Sequence, residues 1–177
     1  MLETERLFLR PFEESDADAV FEMRRDEEIM RFIRQPQTKR DESLNWIKMI
    51  SQRWETERIG FCGVFEKATG DFVGWCGLWQ LKETGEIEVG YALAKAFWGN
   101  GYATEAARRM LEYGFETLGL EKIVAVASPE NRSSQNVMKR LGMEFIGLGR
   151  FYENELVQYV IERDEWEKRR SETVAEG

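Results

Sequence analysis

The fold of this chain is decided by one short stretch, Trp98-Gly99-Asn100-Gly101-Tyr102-Ala103-Thr104-Glu105-Ala106. Its two glycines form a turn that leads directly into a helical run, and a strand-like segment at residues 86–93 precedes the turn. The first N–H groups of a helix have no partner inside the helix, and the helix dipole adds partial positive charge beside them. Such a turn attracts anions through main-chain groups alone. We therefore expect a phosphorylated ligand at this turn.

The length and composition are typical of one soluble globular domain. The chain has 177 residues, of which 42% are hydrophobic and 33% charged, and this is enough to enclose a core. Its apolar runs are far shorter than the roughly 20 residues that span a bilayer. The N-terminus carries Glu3, Glu5 and Arg6 instead of a signal-peptide pattern. We expect a cytoplasmic protein without a membrane partner, with one domain over residues 1–165 and a charged tail over residues 166–177.

The net charge and the missing residue types exclude several function classes. A net charge of −8 argues against nonspecific nucleic-acid binding, which needs a basic surface. The chain has no histidine, so Ser-His-Asp and Cys-His catalysis are excluded and an ordinary zinc site lacks ligands. Cys62 and Cys76 lie in neighbouring strand-like runs and are predicted to be core residues rather than a disulfide or a reactive thiol. We expect no metal and no nucleic-acid partner.

Periodicity and turn residues predict the order of the elements. Strands are predicted at residues 7–12, 61–66, 72–81, 86–93, 122–127, 145–148 and 156–161, and helices at 16–25, 42–57, 103–118 and 133–141. The second helix has an apolar stripe that is predicted to pack in the core, although Trp46 or Trp54 could instead line a groove for an acceptor. Antiparallel hairpins combined with one strand–helix–strand crossover predict an α+β class with a mixed central sheet.

The motifs of this chain follow a characteristic order that covers nearly its whole length. They are Leu2-Glu3-Thr4-Glu5-Arg6-Leu7 with Leu9-Arg10-Pro11, Glu88-Val89-Gly90-Tyr91, the turn at residues 98–106, Asn131-Arg132-Ser133-Ser134, and Lys139-Arg140-Leu141-Gly142-Met143. Each motif alone is weak. Together, in this order, they resemble the GNAT superfamily of N-acetyltransferases, and specifically the branch of the ribosomal-protein N-acetyltransferases RimJ and RimL.

The resemblance implies a single-domain fold whose splayed central sheet, flanked by helices, holds acetyl-coenzyme A between two diverging strands. The pyrophosphate is expected on the turn from Gly99 to Thr104, and the pantetheine arm beside the strand at residues 90–92. The implied cofactor-binding residues are Gly90, Tyr91, Ala92, Trp98, Gly99, Asn100, Gly101, Tyr102, Ala103, Thr104, Asn131 and Ser134.

The chain departs from the superfamily pattern at two places. Trp98 stands where many relatives have Gln or Arg, which leaves backbone amides to bind the phosphates. Val137-Met138-Lys139 stands where many relatives have a tyrosine that acts as general acid. The resemblance therefore assigns no general acid at this position.

Acetyl transfer to an amine needs a base, because an ammonium group has no lone pair with which to attack. A carboxylate whose pKa is raised by partial burial can take the proton directly or through water. Glu88 is our predicted base, because it lies on the strand that should flank the thioester. Glu86 points the same way by strand alternation and is the alternative, and either carboxylate could instead face solvent. A backbone N–H within residues 89–91 is expected to stabilise the oxyanion.

The departing thiolate needs a proton or a hydrogen bond. A free cysteine thiol has a pKa of about 8.5, so a weak donor is sufficient. Ser134 is the predicted donor and Tyr152 the second choice. Ser133 or Ser134 could equally cap the following helix.

The sequence predicts an N-acetyltransferase that moves an acetyl group from acetyl-coenzyme A to a primary amine by direct attack in a ternary complex. The resemblance suggests a protein N-terminal α-amino group, whose pKa of about 7.7–8.0 demands less of a base than the value of about 10.4 for lysine. Other acceptors, a small amine or an antibiotic, stay open, and the helices between residues 15 and 57 are expected to shape the acceptor groove.

Two other functions share features with this sequence. A noncatalytic acyl-coenzyme A binding module would keep the same cleft without turnover. A dinucleotide-binding oxidoreductase is disfavoured, because Thr104 replaces the third glycine of that fingerprint and no terminal acidic residue follows the strand at 122–127. Either a monomer or a homodimer is compatible with the sequence.

Overall fold

The computed structural model of the protein describes residues 1–175. The elements, in order, are β1 (Leu2–Glu3), β2 (Leu7–Arg10), α1 (Ala17–Arg24), α2 (Glu27–Met30), α3 (Arg40–Glu57), β3 (Gly60–Glu66), β4 (Phe72–Gln80), β5 (Ile87–Leu93), α4 (Tyr102–Glu112), β6 (Lys122–Ala127), α5 (Arg132–Arg140), β7 (Glu144–Phe151), β8 (Asn154–Glu162) and α6 (Arg163–Ala175). Short 3₁₀ turns lie at Glu14–Asp16 and Lys95–Phe97. Within residues 1–175, no helix is both long and apolar enough to cross a bilayer.

The eight strands form one sheet in the order β1-β2-β3-β4-β5-β6-β8-β7. Strands β3, β4 and β5 make the predicted antiparallel meander. Helix α4 connects β5 to β6, and these two strands run parallel. The predicted α+β class with a mixed sheet flanked by helices is therefore confirmed.

The sheet splays between its two central strands. In the described chain, β5 and β6 pair at one position, Glu88 with Val124. Beyond it, β5 stays paired with β4 as far as Leu93, while β6 stays paired with β8 as far as Ala127. The two strands therefore separate, and a gap opens between them immediately after Glu88.

Each face of the sheet carries its own core. On one face the apolar sides of α4, α5 and α6 pack on the strands, and their buried residues include Ala106, Met110, Leu111, Val137, Met138 and Trp166. On the other face α1 and α3 cover β3 and β4, and the buried residues there include Phe12, Val20, Met23, Trp46, Ile47, Ile50 and Trp75. Because the gap lies between these layers, a ligand in it can be approached from either face.

The helix after the glycine turn changes form before its end. It begins at Tyr102, one residue earlier than predicted, and a π-helical turn at Tyr113–Thr117 follows its α-helical part. Gly114 lies in this turn, where a Cβ would stand 2.6 Å from Ile123 Cδ1. The wider turn thus brings the helix backbone against β6, a contact that hydrophobic periodicity does not indicate.

One strand boundary and two short elements near the N-terminus also differ from the prediction. Strand β2 ends at Arg10 rather than residue 12, because Pro11 has no N–H for the sheet. Strand β1 and helix α2 have no sequence signal strong enough to predict them. Helix α2 begins at a cap, Asp26, whose carboxylate accepts the N–H groups of Glu28 and Ile29 at 3.0 and 3.2 Å.

The packed domain extends past residue 165. Helix α6 runs through Ala175, and its Trp166 is buried, with its ring centroid 5.1 Å from that of Phe115. The segment that we predicted as a charged tail therefore contributes at least Trp166 to the core. Residues 176 and 177 lie outside the described residues.

The two cysteines behave as core residues. Cys62 and Cys76 face each other across β3 and β4, and both are buried and free. Burial raises the pKa of the Cys62 thiol to about 12 and also raises the pKa of the Cys76 thiol. Neither thiol is ionised near neutral pH, so neither has the character of a reactive nucleophile.

Candidate active site

The glycine turn presents main-chain N–H groups without partners at the start of α4. Gly99 and Gly101 have φ values of 79° and 80°, a conformation that favours glycine. Among residues 1–175, no side chain caps the helix after Gly101, so the N–H groups of Tyr102, Ala103 and Thr104 lack acceptors there. The Thr104 hydroxyl is buried and has no hydrogen-bond partner among the described residues. These donors fit a pyrophosphate, as the glycine pattern predicts.

The aromatic side chains of this turn hold it in place. The Trp98 indole N–H donates to the Leu93 carbonyl at 2.8 Å, and its ring is 44% exposed. The Tyr102 hydroxyl donates to the Glu66 carboxylate, a hydrogen bond that raises the pKa of Tyr102. Tyr102 therefore offers a ligand its main-chain N–H, while its side chain is committed to β3.

The N-terminal motif braces the same turn from outside. The Arg6 guanidinium donates to the Asn100 carbonyl at 3.0 Å and pairs with Glu105 at 2.6 Å. The Thr4 hydroxyl also donates to the Glu105 carboxylate, at 2.5 Å. This explains why a motif near the start of the chain accompanies a turn about one hundred residues later.

Strand β5 turns unpaired peptide groups toward the gap. The Ala94 N–H donates to the Val73 carbonyl of β4 at 2.9 Å, while the Leu93 carbonyl points away from β4, to Trp98. Because successive peptide groups of a strand alternate in direction, Tyr91 also points its N–H and C=O away from β4. Of the three predicted backbone positions, Gly90, Tyr91 and Ala92, the central one therefore faces the gap.

The Tyr91 side chain reaches from β5 to the start of α5. Its hydroxyl donates to the Ser134 carbonyl at 3.0 Å and lies 3.1 Å from the Ser134 hydroxyl. Burial raises the pKa of Tyr91, so this phenol keeps its proton. Asn131 caps α5 by accepting the Ser134 N–H at 3.1 Å. The cap is thus Asn131, and the alternative of a capping Ser133 or Ser134 is wrong.

Glu88 lies in β5 where the gap opens, and its residue is only 6% exposed. Burial raises the pKa of its carboxyl to about 7. The Tyr152 hydroxyl donates to this carboxylate and opposes the rise, while the nearby negative charge of Glu83 adds to it. A carboxyl with this pKa is partly ionised at neutral pH and can exchange a proton there.

Glu86 does not share this environment. It precedes β5, and its carboxylate pairs with Lys122 at 2.7 Å and accepts from the Gln158 amide at 3.2 Å. The hydrogen bond from Lys122 lowers the pKa of Glu86. Strand alternation therefore fails as a guide here, because the regular strand begins one residue later, at Ile87.

Tyr152 reaches Glu88 from a strained turn between β7 and β8. Tyr152 and Glu153 have φ values of 50° and 65°, which residues other than glycine adopt infrequently. The Tyr152 N–H donates to Glu83 at 2.6 Å, and its carbonyl accepts from the Asn154 amide at 2.7 Å. These bonds hold the turn, and they place the second-choice acid beside the predicted base, Glu88, instead of beside Ser134.

A floor of aromatic rings lies on the sheet face that Glu88 shares with its cross-strand neighbour Trp79. This aromatic floor consists of Trp46, Phe61, Trp75 and Trp79, with neighbouring ring centroids 5.7–6.3 Å apart. Of the two tryptophans proposed for a groove, Trp46 belongs to this floor. Trp54 instead donates its indole N–H to the Phe61 carbonyl at 3.0 Å and packs on Tyr113.

A cavity of about 580 Å³ opens beside Tyr152. It lies between the segment at residues 31–36, the end of β6, and the hairpin of β7 and β8. Across residues 1–175, no group of three histidine, cysteine, aspartate or glutamate side chains is placed to hold a metal ion.

Comparison with known proteins agrees with this architecture. Residues 6–144 match the family described as Acetyltransferase (GNAT) domain. "Uncharacterized N-acetyltransferase p20" of Bacillus licheniformis is 34% identical over 154 residues, covering 86% of each chain. "Putative ribosomal N-acetyltransferase YdaF" of Bacillus subtilis (strain 168) is 34% identical over 102 residues, covering 52% of this chain and 56% of that protein.

The fold is also shared with solved structures. The crystal structure of an acetyltransferase (GNAT family) from Bacillus anthracis has a TM-score of 0.81 and 26% identity to this chain, covering 93% of this chain and 99% of that one. The family match spans most of the chain, and the resemblance noted in the sequence is confirmed. The chain belongs to the GNAT acetyltransferase family and is an acyltransferase.

Proposed function

We propose that this enzyme acetylates the α-amino group of a protein or peptide N-terminus, with acetyl-coenzyme A as donor and both substrates bound together. The observation that carries the proposal is the buried carboxyl of Glu88, with a pKa of about 7, at the point where the gap opens. Acetyl-coenzyme A supplies the acetyl group as an activated thioester. All other contributions come from side chains and peptide groups of this chain.

The donor is held mainly by main-chain groups. The N–H groups of residues 102–104 bind the pyrophosphate, and the Thr104 hydroxyl adds a donor that otherwise has no partner. The N–H and C=O of Tyr91 bind the pantetheine arm as a neighbouring strand would. Asn131 fixes the start of α5 and so sets the position of Ser134.

Glu88 prepares the acceptor by taking a proton from its ammonium group. An α-amino group has a reference pKa of about 7.7–8.0, within about one unit of the pKa of Glu88. Proton transfer between two groups with such similar pKa values is nearly balanced. A lysine ammonium group has a pKa of about 10.4, more than three pKa units above that of Glu88, so its deprotonation by Glu88 would be unfavourable. This match supports an N-terminal acceptor over a lysine side chain.

The leaving thiol meets Ser134 on the other side of β5. Tyr91 gives its proton to the Ser134 carbonyl, so the Ser134 hydroxyl is the group left to donate to the departing sulfur. Before the sulfur departs, the Ser134 hydroxyl can donate to the Tyr91 oxygen, which also accepts hydrogen bonds. Ser134 therefore takes the role that a tyrosine of α5 has in many relatives.

The experiment that tests this function is thiol release from acetyl-coenzyme A with matched acceptors. One peptide has a free N-terminus and no lysine, and its partner has a blocked N-terminus and one free lysine. We expect release at pH 7 with the first and little with the second. Polyamines and aminoglycosides complete the panel.

Turnover of a polyamine or an aminoglycoside, with none of the free-N-terminus peptide, would contradict an N-terminal acceptor. Tight binding of acetyl-coenzyme A without release to any amine would instead indicate a binding module. Mass spectrometry of the peptide product locates the acetyl group and excludes slow hydrolysis of the thioester as the source of thiol.

A further inference from the structure

An arginine is buried without an acidic partner beneath the acceptor side. Arg24, at the end of α1, is 3% exposed, and its Nε has no hydrogen-bond partner among residues 1–175. Its guanidinium lies 4.2 Å from the ring centroid of Trp46 and 5.5 Å from that of Trp75. These rings attract the cation but cannot accept its N–H bonds in the plane of the guanidinium. A buried charge of this kind is costly unless an anion pairs with it.

The surrounding charges do not provide that anion. Burial lowers the pKa of Arg24 to about 10, and the neighbouring positive charge of Arg34 lowers it further, while Glu42 acts in the opposite direction. The Glu42 carboxylate is already bound to the N–H groups of Thr38 and Lys39 at 3.1 and 2.9 Å. Two arginines therefore lie near each other in a chain whose net charge is −8.

Arg34 connects this buried cation to the active site. It lines the cavity of about 580 Å³ together with Tyr152. Its positive charge also acts on the Tyr152 hydroxyl, which donates to Glu88. Among the described residues Arg34 has no ion pair, so its guanidinium is free to bind a ligand. The cavity is thus lined by the cationic Arg34 and by Tyr152, whose hydroxyl donates to the buried Glu88.

On this basis, and resting on the function proposed above, we propose that Arg34 binds an anionic group of the acceptor and that the buried charge of Arg24 adds to the positive potential there, so that the preferred substrate is an amine that also carries a carboxylate or a phosphate. A planar guanidinium binds either anion through two parallel hydrogen bonds. The cavity volume lies within the range of roughly 300–1,000 Å³ that is usual for small-molecule sites. The amine end of such a substrate would reach Glu88 past Tyr152.

Other charges in the cavity define which amine fits. Glu27 and Glu155 also line it, and Arg31 pairs loosely with Glu130 at 3.9 Å. The carboxylates of Glu27 and Glu155 disfavour an acceptor that is anionic throughout, and they suit a substrate whose ammonium group is still protonated on entry. The arrangement therefore selects for opposite charges on one molecule.

The test compares amines that differ in one anionic group. A peptide that begins Ser-Glu is paired with one that begins Ser-Gln, and phosphoethanolamine is paired with ethanolamine. We expect kcat/KM to be at least tenfold higher for the anionic member of one pair, and the pair that shows it identifies carboxylate or phosphate. Arg34→Gln should reduce that ratio to below threefold without changing the Kd for coenzyme A.

Arg25→Gln is the matched control. Arg25 follows Arg24 directly but is exposed and pairs with Glu22 at 3.4 Å, so its loss should leave the ratio unchanged. Arg24→Lys keeps the buried charge and should leave the ratio unchanged, whereas Arg24→Met removes that charge and should lower the ratio partially. A ratio in Arg24→Met equal to that of the native enzyme would overturn the part of the inference that concerns Arg24.

The outcomes separate this inference from the proposed function. Equal turnover of charged and neutral members, or a preference that survives in Arg34→Gln, would overturn the inference and leave the function intact. If no amine is turned over, binding decides: with saturating coenzyme A on the glycine turn, glutarate or inorganic phosphate should raise the Tm of the native protein but not of Arg34→Gln. An equal shift in both proteins would overturn the inference.

Discussion

The proposed donor side and the proposed acceptor side of β5 are built from different kinds of groups. The donor side consists mainly of peptide groups that lie close together in sequence, from Tyr91 to Thr104. The acceptor side consists of side chains from three distant segments, with Arg34 before α3, Glu88 in β5 and Tyr152 between β7 and β8. Main-chain sites tolerate changes of side chain as long as the backbone keeps its shape, whereas side-chain sites can be altered one group at a time. Single substitutions should therefore alter the acceptor preference of this enzyme more easily than its donor preference.

The largest effect is expected from Glu88→Gln. Removing a positioned general base typically costs 10²–10⁴ in rate, so we expect kcat at pH 7 to fall by at least about 100-fold. The Kd for coenzyme A should stay within about twofold, because the change lies on the acceptor side. Initial rates and calorimetric titration measure the two quantities.

Glu86→Gln is the control for that substitution. Glu86 is an equally charged carboxylate two residues away, and it is bound to Lys122. We expect kcat to change by less than about threefold. If Glu86→Gln lost more activity than Glu88→Gln, the assignment of the base would be reversed.

A second, smaller effect should come from the glycine turn. Gly99 and Gly70 both have φ near 79°, and a Cβ at either position would meet nothing within 4 Å. Alanine at positive φ is strained by about 1–2 kcal/mol, so Gly99→Ala and Gly70→Ala should destabilise the fold by similar amounts. Only Gly99→Ala should also raise the KM for acetyl-coenzyme A, by about tenfold, with the KM for the acceptor unchanged. Equal KM values in the two variants would show that the shape of the turn does not control donor binding.

The glycine turn of the proposed donor side could be predicted from the sequence, together with its flanking strand and helix, because their signals are local. The glycines at 99 and 101 indicate a left-handed turn, and the strand and helix on either side have clear periodicity. The family resemblance then names the ligand. The π-helical turn at Gly114 escaped prediction, because a single extra residue in a helix leaves the apolar pattern nearly intact.

The acceptor side could be predicted only in part, because its groups meet through tertiary packing. Arg24 and Arg25 are neighbours of the same type, yet one is buried against Trp46 and the other is exposed. Nothing in the local sequence distinguishes them. Glu88 and Glu86 differ for a similar reason, since Lys122 from β6 binds only the second. Tyr152 was a candidate from its residue type, but its contact with Glu88 depends on a hairpin 64 residues away.

Tyr152→Phe tests how a neighbouring side chain on the acceptor side sets the pKa of Glu88. The hydroxyl donates to Glu88 and so favours its ionised form, which means that its removal should raise the pKa of Glu88 above about 7. The acid limb of the kcat/KM profile should therefore move to higher pH by about half a unit to one unit, and the rate at pH 7 should fall about two- to fivefold. Rates at high pH should recover. Tyr113→Phe, which loses a hydrogen bond to the Arg58 carbonyl far from Glu88, should leave the profile in place.

The smallest effect is expected from Ser134→Ala, which removes the side-chain donor nearest the departing thiol from a side built mainly of main-chain groups. A thiol with a pKa of about 8.5 leaves readily, so loss of a single hydrogen bond should lower kcat by only about two- to threefold, with the KM for acetyl-coenzyme A little changed. Ser133→Ala is the matched control, because Ser133 is exposed and should have no effect. Tyr91→Phe should resemble Ser134→Ala, since the Tyr91 proton serves the Ser134 carbonyl. Loss of a general acid can slow turnover by about two orders of magnitude. If Ser134→Ala had an effect of that size, the donor side would depend on side-chain chemistry as strongly as the acceptor side does. The proposed difference between the two sides would then be wrong.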